Sequence, residues 1–171
     1  MTTVNEARQA ASIVRDAGGR IVGRTRLQKI GFILETAGLG EGFTFKYKHY
    51  GPYSEDLTAA SRIAVVLGLM NEIEQPATWG GLYSVFTTDL PPNPNVNEAR
   101  RRIARETALA DAVELELAAT ALFLGREGVP NAWAETARRK PDKAAAGRLD
   151  QARDLYERLR QIPTPLPLPP L

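Results

Sequence analysis

The feature that most constrains this chain is the stretch of residues 24–54, where a helical pattern runs into a short aromatic and basic segment. The stretch holds the single histidine and three of the five tyrosines. Leu27, Ile30 and Ile33 recur at helical spacing, which predicts a helix over residues 25–37 with one apolar face. Thr25 is a suitable N-cap for this helix, and Gln28 follows it at the spacing of a capping box.

The second half of the stretch predicts an extended segment followed by another helix. Residues 43–50 alternate and are rich in aromatics, which favours a strand. Gly51-Pro52 is a strong turn signal. Ser54 then has the position of an N-cap, with acidic residues placed favourably in the first turn of a helix that reaches residue 70.

The order of the predicted elements is typical of a winged helix. A first helix covers residues 5–17, capped by Asn5 and ended by Gly18-Gly19. After the two helices described above, two short strands around the loop at residues 76–81 predict a hairpin. We therefore predict a mainly α protein whose residues 4–88 form a winged-helix-like unit, with the hairpin as its wing.

The rest of the chain predicts a C-terminal helical region after a linker. Residues 89–96 are rich in proline and read as a linker. Residues 97–161 carry helical patterns, with Asn97 and Asn131 as caps and a last helix over residues 142–161. Their apolar stripes can pack on each other, on the first unit, or in a homodimer, and the sequence leaves these alternatives open.

The last ten residues, 162–171, are dominated by proline and leucine. Proline cannot continue a helix or a central strand, so the segment should be extended in polyproline fashion. We expect a flexible tail; docking into an aromatic groove is the alternative.

Composition removes several classes of function. The chain has no cysteine, which excludes disulfides and thiolate chemistry, and its formal net charge is only +2, so no polyanionic partner is required. The start of the chain lacks the pattern of a signal peptide, and no apolar run is long enough to span a membrane. We expect a cytoplasmic protein without a membrane partner.

No residues combine into a recognisable catalytic or metal site. The lone His49 has no second histidine or cysteine with which to bind a metal, and a structural role beside Gly51-Pro52 is the simpler interpretation. Gly38-Leu39-Gly40 lacks the lysine and serine of a phosphate loop. We therefore predict no catalytic residue, no metal, no cofactor and no enzymatic activity.

A set of basic and aromatic side chains remains as the candidate binding surface, here called the basic-aromatic strip. Its members are Arg24, Arg26, Lys29, Lys46, Tyr47, Lys48 and Tyr50. Cationic side chains can contact phosphates and tyrosines can stack on bases, so nucleic acid is one candidate ligand. Solvated charges around a structural aromatic segment are the other interpretation. Glu55 and Asp56 begin the helix that would enter a DNA groove, and their charge disfavours that docking.

Three short motifs also carry a resemblance to known families. Leu27-Gln28-Lys29 at the start of an apolar helix, followed by Tyr50-Gly51-Pro52-Tyr53-Ser54 and by a helix ending in Leu67-Gly68-Leu69-Met70, resembles the YwgA-like proteins. It is similar, more distantly, to the Panacea domain of many antitoxins and of the proteolytic adaptor SocA. The resemblance covers residues 22–70 and implies a binding or regulatory module.

The sequence therefore predicts a non-enzymatic regulatory interaction module, of the antitoxin or adaptor kind, that binds a protein partner. The alternative is a nucleic-acid-binding transcriptional regulator that uses the basic-aromatic strip.

Overall fold

The fold is taken from a computed structural model, which describes residues 2–171. The described chain forms eight helices and five strands, so the prediction of a mainly α protein is confirmed. The helices are α1 (Val4–Asp16), α2 (Arg24–Thr36), α3 (Glu55–Val66), α4 (Glu98–Leu109), α5 (Ala112–Arg126), α6 (Ala132–Arg139), α7 (Pro141–Ala144) and α8 (Arg148–Arg160). The strands are β1 (Arg20–Val22), β2 (Lys46–Lys48), β3 (Gly51–Tyr53), β4 (Asn71–Pro76) and β5 (Leu82–Thr87).

Capping side chains set the starts of most of the longer helices. Ser54, Asn97 and Asn131 cap α3, α4 and α6, as predicted. The cap of α1 is Thr3 rather than Asn5, because Thr3 forms a complete capping box with Glu6. The predicted cap of α2 was also wrong: the helix begins one residue before Thr25 and has no side-chain cap.

Two small antiparallel sheets accompany the helices. The first has the strand order β1-β5-β4, and the predicted hairpin is its β4–β5 pair. The second pairs β2 with β3, with Lys48 opposite Gly51. The predicted turn at Gly51-Pro52 was therefore misplaced. The chain reverses at residues 49–50, and Gly51 and Pro52 belong to the returning strand.

Helix α5 lies at the centre of a single core that includes both predicted regions. Leu117, Ala118 and Leu122 are fully buried, and α5 packs against α2, α6 and α8. Among residues 2–171, the buried apolar side chains of the first unit and of the helical region, except Val85, belong to one continuous cluster. The stripes of α5 and α8 are thus covered within the chain, and they leave no basis for the homodimer considered above.

A buried arginine ties the two regions together. Arg100 on α4 is only 6% exposed, although arginines in a basic run such as residues 100–102 are usually at the surface. Its guanidinium donates to Asp16 Oδ2 at 2.7 Å, to Ser12 Oγ at 2.9 Å and to the Leu39 carbonyl at 2.6 Å. The linker thus leads into a helix held firmly against α1.

The end of the chain departs from the prediction in two ways. The helix expected over residues 142–161 is divided into α7 and α8, because Ala146 and Gly147 both have positive φ. Residues 163–171 form no helix or strand, as predicted, but they are packed rather than free. Leu168 is only 4% exposed, and the Leu166 amide donates to the Ala37 carbonyl at 3.0 Å.

Candidate functional site

Gln28 and Lys29, the two polar residues of the Leu27-Gln28-Lys29 motif on α2, hold the backbone that precedes α3. The Gln28 side chain accepts from the Ser54 amide at 2.8 Å and donates to the Ser54 carbonyl at 3.0 Å. The Lys29 ammonium donates to the Pro52 carbonyl at 2.8 Å. Both side chains are buried. Adjacent residues on α2 therefore fix the strand β3 and the start of α3 together.

Lys29 was predicted to lie on the binding surface, and this prediction was wrong. The residue is 1% exposed, because α5 and the β2–β3 hairpin enclose it. Burial lowers the pKa of Lys29 to about 7, against the opposing attraction of Glu116 on α5. Glu116 itself forms ion pairs with Lys140 at 3.1 Å and Lys143 at 2.7 Å.

Gly51 is required where the hairpin meets α5. Its φ is +91°, and a Cβ at this position would lie 2.5 Å from Thr120 Oγ1. Glycine tolerates both the conformation and the close approach. In the Gly51-Pro52 dipeptide of the motif, Gly51 thus lies against α5 and the Pro52 carbonyl accepts from Lys29. The dipeptide does not form the turn.

These contacts shape a cleft of about 250 Å³ beside the start of α2, here called the α2 cleft. The start of α2, the β2–β3 hairpin, α3 and the β4–β5 hairpin contribute its walls. The lining residues are Arg24, Thr25, Leu27, Gln28, Lys29, Lys48, Tyr50, Gly51, Tyr53, Thr58, Ser61, Arg62, Glu72 and Phe86. A second cleft of about 470 Å³ shares Arg24, Thr25 and Tyr50 with it and extends along the β4–β5 hairpin to Trp79 and Leu82.

The arginines and lysines of the strip are largely engaged within the chain. Arg24 pairs with Glu72 at 2.7 Å and lies 3.5 Å from Glu74. Arg26 donates to the backbone carbonyls of Val22 and Ala110, which makes it a tether for the end of α4. The predicted surface role of Arg26 is therefore not supported.

The members of the strip on the β2–β3 hairpin differ in their availability. Lys48 forms an ion pair with Glu55 at 2.9 Å, whereas Lys46 is exposed and has no ion pair among residues 2–171. Tyr47 packs against Phe123 on α5, with ring centroids 5.7 Å apart. Tyr50 remains 58% exposed. The structure thus leaves Arg24, Lys46, Lys48 and Tyr50 at the surface out of the seven.

Beside the clefts, the chain exposes large apolar side chains that are not part of the binding surface predicted from the sequence. We call them the apolar set: Ile63, Val66 and Leu67 at the end of α3, and Ile73, Trp79 and Leu82 on the β4–β5 hairpin. Val66 is 81% exposed and Trp79 74%. The signal was present in part, because Ile63 and Val66 are apolar residues outside the stripe that helical spacing assigns to the core. The same spacing predicts that Leu67 is buried, and this prediction was wrong, since Leu67 is 47% exposed.

Metal binding finds no support among the described residues. His49 is exposed at the tip of the β2–β3 hairpin, where its backbone carbonyl accepts from Lys140. Within residues 2–171, no three histidine or acidic side chains converge on a position for a metal ion. None of the helices in this range has the length and apolarity needed to cross a bilayer.

No family model, curated protein or solved structure matches this chain. The resemblance to the YwgA-like and Panacea families therefore stays a prediction, carried by the motifs at residues 27–29, 50–54 and 67–70.

Replacing Gln28 with alanine should destabilise the chain by about 2–3 kcal/mol, because the buried amide and carbonyl of Ser54 both lose a partner. Chemical denaturation of Gln28→Ala and of the matched control Gln151→Ala, at an exposed position on α8, measures the difference. The control should stay within about 0.5 kcal/mol of the wild type. Equal stabilities of the two variants would contradict the role given to Gln28.

The stability of the wild type should rise with pH relative to Lys29→Met. In the folded chain Lys29 loses its proton near pH 7, while in the unfolded chain it keeps the proton to about pH 10.5. The unfolded state therefore binds more protons in this window, and stability rises by up to about 1.4 kcal/mol per pH unit. Denaturation curves at pH 7, 8 and 9 measure the effect. Parallel profiles for the two proteins would show that Lys29 is not desolvated.

Proposed function

We propose that this chain is a non-enzymatic regulatory interaction module, of the antitoxin or adaptor kind, that binds a protein partner. Its residues 4–88 would form a winged-helix-like unit. The element order of the unit is α1-β1-α2-β2-β3-α3-β4-β5. Apart from the β2–β3 hairpin inserted between α2 and α3, this order and the strand order β1-β5-β4 support the assignment. In that architecture α3 takes the recognition position and the β4–β5 hairpin is the wing.

The apolar set is the observation that carries the proposal. Single exposed apolar residues are ordinary on protein surfaces, but here the end of α3 and the neighbouring hairpin expose six large ones. Tryptophan is among the residues that contribute most when a protein partner covers them, and burial of the aliphatic side chains around it is favourable as well. The clefts beside them add arginine and tyrosine, two residue types that are enriched at protein interfaces.

The charges of the same region favour a protein over a nucleic acid. Arg24 and Lys48 already have carboxylate partners in Glu72 and Glu55, so a phosphate would have to compete with those carboxylates. Glu55 and Asp56 are exposed at the start of α3, where they repel a phosphate backbone. A partner protein whose surface carries charges of both signs does not suffer this repulsion.

Val66→Asp should weaken partner binding by tenfold or more, about 1.4 kcal/mol, because it would place a carboxylate against the apolar surface of the partner. The matched control is Leu109→Asp, since Leu109 is 88% exposed on α4, outside the apolar set. In the experiment, a tagged copy of the chain is used to capture proteins from a lysate of the organism that encodes it. Mass spectrometry identifies them, and titration measures the affinity of each variant.

The proposal requires a specific protein that binds the wild type and Leu109→Asp alike and binds Val66→Asp weakly. If the retained protein binds Val66→Asp as tightly as the wild type, the apolar set is not the interface. Retention of DNA alone would contradict the proposal as a whole.

Nucleic-acid binding is the second candidate, because Lys46, Arg20 and Arg62 are exposed without a carboxylate partner among residues 2–171. If this candidate is right, affinity for duplex DNA should fall steeply with added salt. The variants Lys46→Ala and Arg62→Ala should each reduce the salt slope by about 1. A fluorescence-anisotropy titration at several salt concentrations measures both quantities. Binding that is absent at physiological salt would exclude this candidate.

A further inference from the structure

Residues 163–171 lie along a surface formed by the end of α2, by α5 and by α8. Leu168 is 4% exposed, and Leu171 packs against the same core. These two leucines are three residues apart, which is one turn of a polyproline helix, so they lie on the same side of the segment. Pro163, Pro165, Pro167 and Pro170 are exposed on the remaining sides.

The surrounding elements bind the backbone of this segment. The Tyr156 hydroxyl donates to the Pro169 carbonyl, and Arg160 Nε donates to the Leu168 carbonyl at 3.2 Å. Proline has no amide hydrogen, so carbonyl oxygens are the groups that a receptor for such a segment can bind. Tyr156 also packs edge-on against Trp133, which fixes its ring beside the segment.

Two glycines make room for the leucine side chains. A Cβ on Gly38 would lie 2.9 Å from Leu166 Cγ, and a Cβ on Gly125 would overlap Leu171. Gly125 lies within α5, where glycine lowers helix stability relative to alanine. The space that Gly125 leaves for the Leu171 side chain explains its presence in the helix. Together these residues form what we call the proline groove: Gly38, Gly125, Tyr156 and Arg160.

We propose that the proline groove is a binding site for extended proline-rich peptides, that residues 163–171 are its resident ligand, and that a partner segment of the same pattern binds there in their place. Aromatic rings, carbonyl-directed donors and pockets for every third side chain are the features by which proteins bind polyproline segments. The pattern that fits is Leu-Pro-Pro-Leu, as in residues 168–171.

The walls of the proline groove are held in place by contacts with one another. The elements that form the groove contact one another directly, since α5 packs on both α2 and α8. The groove therefore does not depend on its ligand for its shape. The proline groove is separate from the apolar set, so this inference does not rest on the proposed partner surface.

The test uses the full chain with the resident segment released by Leu168→Asp and Leu171→Asp. A fluorescent peptide with the sequence of residues 163–171 is titrated against this double variant and against the wild type, and anisotropy reports binding. The double variant should bind at least tenfold more tightly than the wild type, in which the resident segment competes. A peptide with aspartate in place of the two matching leucines should not bind.

Adding Gly125→Val to the double variant locates the site, because the new side chain fills the leucine pocket. Binding of the peptide should then be lost while the circular dichroism spectrum is kept. Equal binding with and without Gly125→Val, or a folded double variant that binds no peptide, would overturn the proposal.

A measurement on the wild type decides the matter if the double variant fails to fold. The amide of Leu166 is bonded to the Ala37 carbonyl, so its hydrogen exchange reports release of the segment. We expect it to exchange at least 100-fold faster than the buried amides of α5, through local opening. Exchange as slow as that of α5 would show that residues 163–171 separate only on global unfolding, and would overturn the proposal.

Discussion

The contact between two α2 side chains and the backbone of residues 52–54 is the constraint on which this region depends. Gln28 accepts from the Ser54 amide and donates to the Ser54 carbonyl, which also accepts from the Thr58 amide, and Lys29 donates to the carbonyl of Pro52. Buried backbone groups without partners are costly, and α2 supplies the side-chain partners of the Ser54 amide and the Pro52 carbonyl. The same contact sets the start of α3 and therefore the walls of the α2 cleft. It also gives the motif at residues 27–29 a structural explanation.

Local pattern was sufficient to predict the first three helices, three of the caps and the β4–β5 hairpin, because each depends on residues close in sequence. The burial of Lys29 could not be predicted this way, since its partners are Pro52 and Glu116. Arg100 was missed for the same reason, because the groups it binds lie 61 to 88 residues away. Charged side chains were assigned to the surface by their type alone. The fold supplied distant partners that made their burial favourable.

The fold changes which residues form the candidate surface, because several side chains of the basic-aromatic strip have partners within the chain. On the sequence it was a strip of seven basic and aromatic residues; in the fold, Arg26 and Lys29 became structural and Tyr47 packed on α5. What remains exposed in this region is a mixture of paired charges and large apolar side chains. This mixture is the reason for which we propose a protein partner before a phosphate-containing one. The proline groove would add a second site, on the side of the chain formed by α5 and α8.

Native-state hydrogen exchange of the Ser54 amide tests the central claim most directly, because this amide donates to Gln28 Oε1. If the contact holds the hairpin and α3 in place, the amide opens only with the core, at the free energy measured for the buried amides of α2. The contrary result would be exchange as fast as that of the exposed hairpin tip at Tyr50. In that case the contact would not order this region, and the shape of the cleft would need another explanation.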